Sequence, residues 1–156
     1  MNISKYVTYI EATKSETAIR KGIENEPNEE QLEAMKYVAE NVFDKIREHI
    51  GGPLGITSFY RCPELNAAIG GSRTSQHPKG EAIDIDCDRY GVSTNKYVFD
   101  YILKNLAFDQ LIWEFGTHQN PAWVHVSLKK RLNRGEVLRA YKGPSGNTLY
   151  IPFDLY

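Results

Sequence analysis

The run Ser75-Gln76-His77-Pro78-Lys79-Gly80-Glu81-Ala82-Ile83-Asp84-Ile85-Asp86-Cys87 constrains this chain more than any other segment. From Ala82 onward the residues alternate with the period of a strand. Ala82, Asp84 and Asp86 share one face; Ile83, Ile85 and Cys87 share the other. The stretch before it, residues 72–80, is loop by composition. Gly80 permits a sharp turn, so a loop histidine and a strand carboxylate can face one point. His and Asp suit Zn²⁺, and a catalytic zinc usually takes three protein ligands and keeps one position open. The chain should then supply a third ligand.

Three other histidines are available. His49 closes a helix, where a cation suits the dipole and the surface, and His118 falls in a loop. His125 lies mid-strand in Trp123-Val124-His125-Val126-Ser127, on the face opposite Val124 and Val126. A histidine among apolar residues is usually a satisfied core group, but with His77 and Asp84 it completes a three-ligand set. Gln110–Phe115 and Trp123–Leu128 read as strands joined by a medium loop. If that loop is symmetric about residues 117–122, Glu114 lies directly opposite His125 and on its face. A carboxylate beside a ligand, yet not a ligand, is where a general base for the attacking water belongs. The competing reading makes Glu114 an exposed strand residue or an outer partner of the site. Asp84 and Asp86 share a face, so spacing alone does not choose the ligand; the other could orient a histidine. Arg61 directly follows the strand Leu54–Tyr60, where a lone Arg is usually a surface charge, but it precedes a Cys-Pro turn that could hold it inward. Its guanidinium is the natural partner of a substrate carboxylate.

The remaining chain reads as α+β, with a central antiparallel sheet and helices packed on it. A short helix is expected at Ser15–Lys21. A long amphipathic one runs from about Asn28, which can cap it, to about Ile50, with Leu32, Met35, Val38, Val42, Phe43 and Ile46 on one face. Glu64–Ile69 suggests a helical turn, and Asn95–Leu106 a helix capped by Thr94. Val137–Tyr141 and Leu149–Phe153 suggest a terminal hairpin.

At 156 residues the chain suits one domain, 1–156. Nineteen basic against 20 acidic residues give a net charge of -1, which supplies no basic excess for nucleic acid. No stretch nears the ~18 apolar residues of a membrane span. The start turns polar before any signal-like apolar run, so synthesis in the cytoplasm is expected. Cys62 and Cys87 read as two buried free thiols, although both flank the site and a disulfide between them is conceivable.

Ile56-Thr57-Ser58-Phe59-Tyr60-Arg61-Cys62-Pro63-Glu64-Leu65-Asn66, then Gly70-Gly71, then the S-x-H-x-x-G-x-A-x-D run from Ser75 to Asp84, then W-V-H-V-S at 123–127, resemble the M15 zinc peptidases. These are D-Ala-D-Ala carboxypeptidase-like enzymes and phage endolysins that cut peptidoglycan stem peptides. The likeness covers about residues 10–130 and is greatest to the phage and prophage branch; residues 131–156 lie outside it. It implies one zinc per chain on His77, Asp84 and His125, which favours Asp84 over Asp86. It further implies substrate contacts from Arg61 and Ser75, and a fold shared with the Hedgehog signalling domain. It implies a peptidoglycan peptide as substrate and action on the bacterial cell wall, which a phage-type enzyme reaches after lysis or by export; a monomer is expected, although nothing in the sequence fixes the oligomeric state. One departure stands out: several members carry an acidic base three residues before the last histidine, where this chain has Ala122. Glu114 is then the candidate base. A zinc-bearing binding module and a phage structural component are the competing classes.

Overall fold

The structure, a computed structural model, describes residues 1–155. Two short helices, α1 (Tyr9–Thr13) and α2 (Glu16–Lys21), precede a long helical rod. The capping box of Thr8 with Glu11 starts α1, which at five residues is too short to show an apolar period and is not among the helices expected from the sequence. The rod is α3 (Glu29–Val38), a π-helical turn (Ala39–Phe43) and α4 (Asp44–Ile50). Asn28 and Gln31 cap each other at its start, and Gly51 ends it in the left-handed region. Further on come α5 (Pro63–Ala68) and α6 (Asn95–Asn105), the latter capped by Thr94. The strands are β1 (Gly55–Ser58), β2 (Ala82–Asp86), β3 (Gln110–Glu114), β4 (Trp123–Ser127), β5 (Glu136–Lys142) and β6 (Thr148–Pro152).

All six strands form one sheet in the order β1-β2-β4-β3-β5-β6. It is mixed, not antiparallel as the sequence pattern suggested: β5 runs parallel to β3, and every other neighbour is antiparallel. The cause is the connection after β4. β4 ends beside the start of β3, and residues 128–135 cross to the other side of β3 at that same end, so β5 leaves in the direction of β3. Asp109 anchors that connection by accepting from the Arg134 backbone N–H at 2.8 Å and from its guanidinium at 2.6 Å. The terminal hairpin forms as expected, and it extends the sheet beyond β3.

The two faces of the sheet differ sharply. Ile83, Ile85, Leu111, Trp113, Val124 and Val126 point to one side and are all buried. That side is covered by the rod and α6, whose Met35, Val38, Ile46, Val98, Phe99 and Ile102 join the same core. Burial of this apolar surface drives the fold. The other face carries Asp84, His125, Ile112 and Glu114, and no helix lies over it at these positions; a pocket opens there instead. Alternation along three strands thus separates stability from chemistry.

Candidate metal centre

The site begins with register. Asp84 on β2 is paired with His125 on β4, and His125 with Ile112 on β3. Directly opposed residues present their side chains on one face. The Asp84 carboxylate and the His125 ring are therefore neighbours by strand pairing alone, with His125 Nδ1 at 2.9 Å from Asp84 Oδ1.

His77 arrives from the loop. It opens a 3₁₀ turn, His77–Lys79, which Gly80 ends at φ 75°. A side chain at Gly80 would be strained by that φ and would also stand 2.5 Å from the Gln31 carbonyl of α3. Gln31 in turn donates to the Pro78 carbonyl at 3.1 Å. The start of α3 thus braces the loop that carries His77, and the sharp turn at Gly80 is as expected. His77 Nδ1 lies 2.6 Å from the Phe59 carbonyl. A carbonyl only accepts, so Nδ1 carries the proton and Nε2 keeps its lone pair.

That lone pair decides whether a metal suits the site. His77 Nε2 is buried and makes no hydrogen bond, although Asp84 Oδ1 is 3.3 Å away. Two electron-pair donors face each other there with no proton to share. Burial lowers the His77 pKa and keeps the ring neutral, against the pull of Asp84. Burial alone would raise Asp84, but its coupling to His77 and His125 outweighs it and holds the carboxyl well below the ordinary carboxylate range, because any proton entering the cluster is held by a histidine before it reaches Asp84. A neutral imidazole and an ionised carboxylate are the protonation states a cation needs in its ligands. Donor atoms of His77, Asp84 and His125 all lie within 4.8 Å of one another, the one such group among the described residues. One carboxylate and two imidazoles fit zinc.

The family comparison agrees. The family model of Peptidase M15 matches residues 5–127. The chain belongs to the Peptidase M15 family. A search of the curated proteins gives no match. M15 peptidases are zinc dependent, and the His-Asp-His cluster of this member has the composition and geometry to hold the metal.

Around the cluster the M15 pocket, about 610 Å³, is lined by Arg61, Ser75, Gln76, Glu114 and Trp123 among others. Glu114 is buried, 7% exposed, and its carboxyl is pushed up to about 7. Burial is the main cause; His125 opposes it, Asp84 adds to it and Arg61 opposes it. Its register differs from the symmetric one: Glu114 pairs with Trp123, and His125 pairs with Ile112. The loop closes early, with the Ala122 N–H on the Glu114 carbonyl at 2.9 Å and Phe115 and Gly116 in left-handed conformations. The shift is two residues, so the face is preserved and Glu114 sits diagonal to His125. Ala122, the departure from the family's acidic pattern, is exposed.

Arg61 is held inward as expected, but by a residue that sequence reading missed. Asn25 donates to the Tyr60 carbonyl at 3.0 Å and accepts from the Cys62 N–H at 2.7 Å, gripping the backbone on both sides of Arg61. Burial lowers the Arg61 pKa, while Asp84, Glu114 and Tyr150 raise it. Ser75 is half-buried at the pocket wall, and its hydroxyl accepts from the His77 N–H at 3.3 Å. Asp86 does not orient His77 or His125, contrary to one sequence reading, since His77 Nδ1 bonds to the Phe59 carbonyl and His125 Nδ1 to Asp84. The Asp86 carboxylate accepts from Asn95 Nδ2 at 3.0 Å and from the Asp88 N–H at 3.2 Å. His49 ends α4, stacked on Tyr101 with ring centroids 4.1 Å apart, far in the fold from the cluster. Cys62 and Cys87 are buried free thiols, and burial pushes Cys87 up to about 12. The Phe59 carbonyl is a backbone atom, so no side-chain pattern announces it. Asn25 sits 36 residues before Arg61, with no periodicity linking the two.

Proposed function

We propose that this M15 peptidase hydrolyses peptide bonds in peptidoglycan stem peptides with one zinc ion on His77, Asp84 and His125. The observation that carries the reading is the unshared Nε2 lone pair of His77, 3.3 Å from Asp84 Oδ1 in a pocket that also holds a buried carboxyl and a guanidinium. Zinc bound there supplies Lewis acidity, which makes a water nucleophilic near neutral pH. Glu114 takes the proton of the attacking water and passes it to the leaving amine. A carboxyl whose pKa lies near the working pH is suited to both halves of that transfer. Arg61 binds a carboxylate or the polarised carbonyl oxygen of the peptide, and its charge is worth more in a half-buried pocket than in water. Ser75 presents a hydroxyl to the substrate while its hydrogen bond fixes the His77 backbone. The enzyme's place of action on this reading is the bacterial cell wall.

The test is product analysis by mass spectrometry after incubation with a synthetic stem pentapeptide and zinc. Cleavage by the wild type and none by Asp84→Asn is the expected result, and the product masses name the bond. An intact pentapeptide with zinc-loaded wild type would overturn the substrate class.

A further inference from the structure

The pocket has a wall that lies outside the family match. The match ends at residue 127, yet Leu138, Thr148 and Tyr150 of the β5–β6 hairpin line the same pocket as His77, Asp84 and Glu114. Register explains how. Glu114 pairs with Ala140 across the parallel β3–β5 ladder, and Ala140 pairs with Tyr150 across β5–β6. Glu114, Ala140 and Tyr150 therefore form one row on the pocket face. With strands about 4.8 Å apart, the tyrosine backbone stands roughly 10 Å from that of Glu114, across a position that holds only a methyl group. The phenol has room to reach over Ala140, and it lies within electrostatic range of Glu114, Asp84 and Arg61. The ring is half-exposed, and its hydroxyl makes no hydrogen bond among the described residues. Arg61 follows β1 and Tyr150 lies on β6, the two edge strands of the sheet. They face the reacting centre from opposite sides.

We propose that Tyr150 is a substrate-contacting residue whose hydroxyl donates a hydrogen bond to the peptide backbone. With Leu138 and Thr148 it forms the subsite on the side of the reacting bond remote from Arg61. The inference rests on the peptidase reading above and deepens it: the preferred substrate is an extended peptide that reaches both edges of the pocket, not a free dipeptide.

The experiment measures binding by isothermal titration to zinc-loaded Glu114→Gln, in which turnover is suppressed, with and without Tyr150→Phe. The probes are a synthetic stem pentapeptide and the dipeptide D-Ala-D-Ala. Loss of one hydrogen bond should weaken the pentapeptide by about 3–10-fold and leave the dipeptide, too short to reach the hairpin, unchanged. In the active enzyme the same change should raise KM with kcat nearly constant, because the contact is made before the transition state as well as in it. The ring remains in Tyr150→Phe, and an unchanged melting temperature confirms that the hairpin is intact. If that variant melts early, Thr148→Val takes its place in the titration, with the same expected direction. Equal pentapeptide affinity with and without the substitution would overturn the Tyr150 subsite alone. Failure of the pentapeptide to bind the parent Glu114→Gln protein would overturn the substrate reading beneath it.

Discussion

Asp84 and Asp86 stand two residues apart on one face of one strand, and their surroundings give them opposite fates. Asp84 faces His125 across the β2–β4 ladder and His77 from the loop, so its neighbours offer electron pairs as well as protons. Asp86 faces the amide of the fully buried Asn95, whose Nδ2 also lies 3.2 Å from Asp88 Oδ2, 3.2 Å from the Pro121 carbonyl and 3.0 Å from that of Ala122. Asn95 Oδ1 accepts from the Cys87 N–H at 2.8 Å. One carboxylate is poised for a cation. The other is spent on fastening the end of β2 to the segment that enters β4. Identical chemistry on an identical face becomes ligand or fastener according to what the neighbouring element brings, and a strand's own alternation carries no record of that.

Substitutions at the two aspartates and their partners should separate these roles. The largest effect is expected at the ligands. Asp84→Asn or His77→Ala should abolish stoichiometric zinc and lower kcat/KM by more than about 10³-fold, since several kcal/mol of transition-state stabilisation leave with the ion. Glu114→Gln should keep zinc and lower kcat by about 10²–10⁴-fold, as loss of a general base does; wild-type kcat with this variant would remove Glu114 from the reaction. The wild-type pH profile sharpens that assignment. Burial raises the Glu114 carboxyl to about 7, so it is protonated and unable to accept a proton below that value. Activity should fall as the pH drops, with a midpoint no higher than about 7, because a bound cation stabilises the carboxylate. Glu114→Gln should lose this acid limb.

Smaller effects are expected from the fasteners. Asn25→Ala frees the backbone around Arg61, and a slight misplacement of a positioned group should cost about 10–100-fold in kcat/KM at unchanged zinc content. Asn95→Ala strips partners from several buried groups and should cost about 1–3 kcal/mol of stability by denaturant titration. It should leave one zinc per folded chain. Asp86→Asn should change least, by less than about 1 kcal/mol, with zinc and kcat retained. A loss of zinc in Asp86→Asn would erase the contrast between the two aspartates.

The candidate metal ligands were legible in two steps: residue chemistry and the strand period narrowed the choice to His77, His125 and one of Asp84 and Asp86, and only the M15 resemblance singled out Asp84. Asp84 and His125 stand on strand faces that alternation assigns, whereas His77 lies in a loop, and Gly80 marks the turn that joins that loop to the strand. Glu114 was legible for a subtler reason. The assumed hairpin register was wrong by two residues, but side-chain direction has a period of two, so the error left the face intact. The parallel β3–β5 pair was not legible. Both strands carry the same kind of alternation in either direction, and only the path of residues 128–135, held by Asp109 and Arg134, sets the sense. Asn25 and the Phe59 carbonyl were likewise hidden, since they act through backbone groups far away in sequence. The terminal hairpin was legible as an element, but its place on the pocket was not, because that depends on Ala140 pairing with both Glu114 and Tyr150.

The most direct test of the central claim is the metal content of the purified protein by mass spectrometry, compared with Asp84→Asn and Asp86→Asn under the same conditions. About one zinc per chain in the wild type and in Asp86→Asn, with none in Asp84→Asn, is the expected result. No zinc in the wild type after zinc is supplied, or equal zinc in all three proteins, would contradict the site.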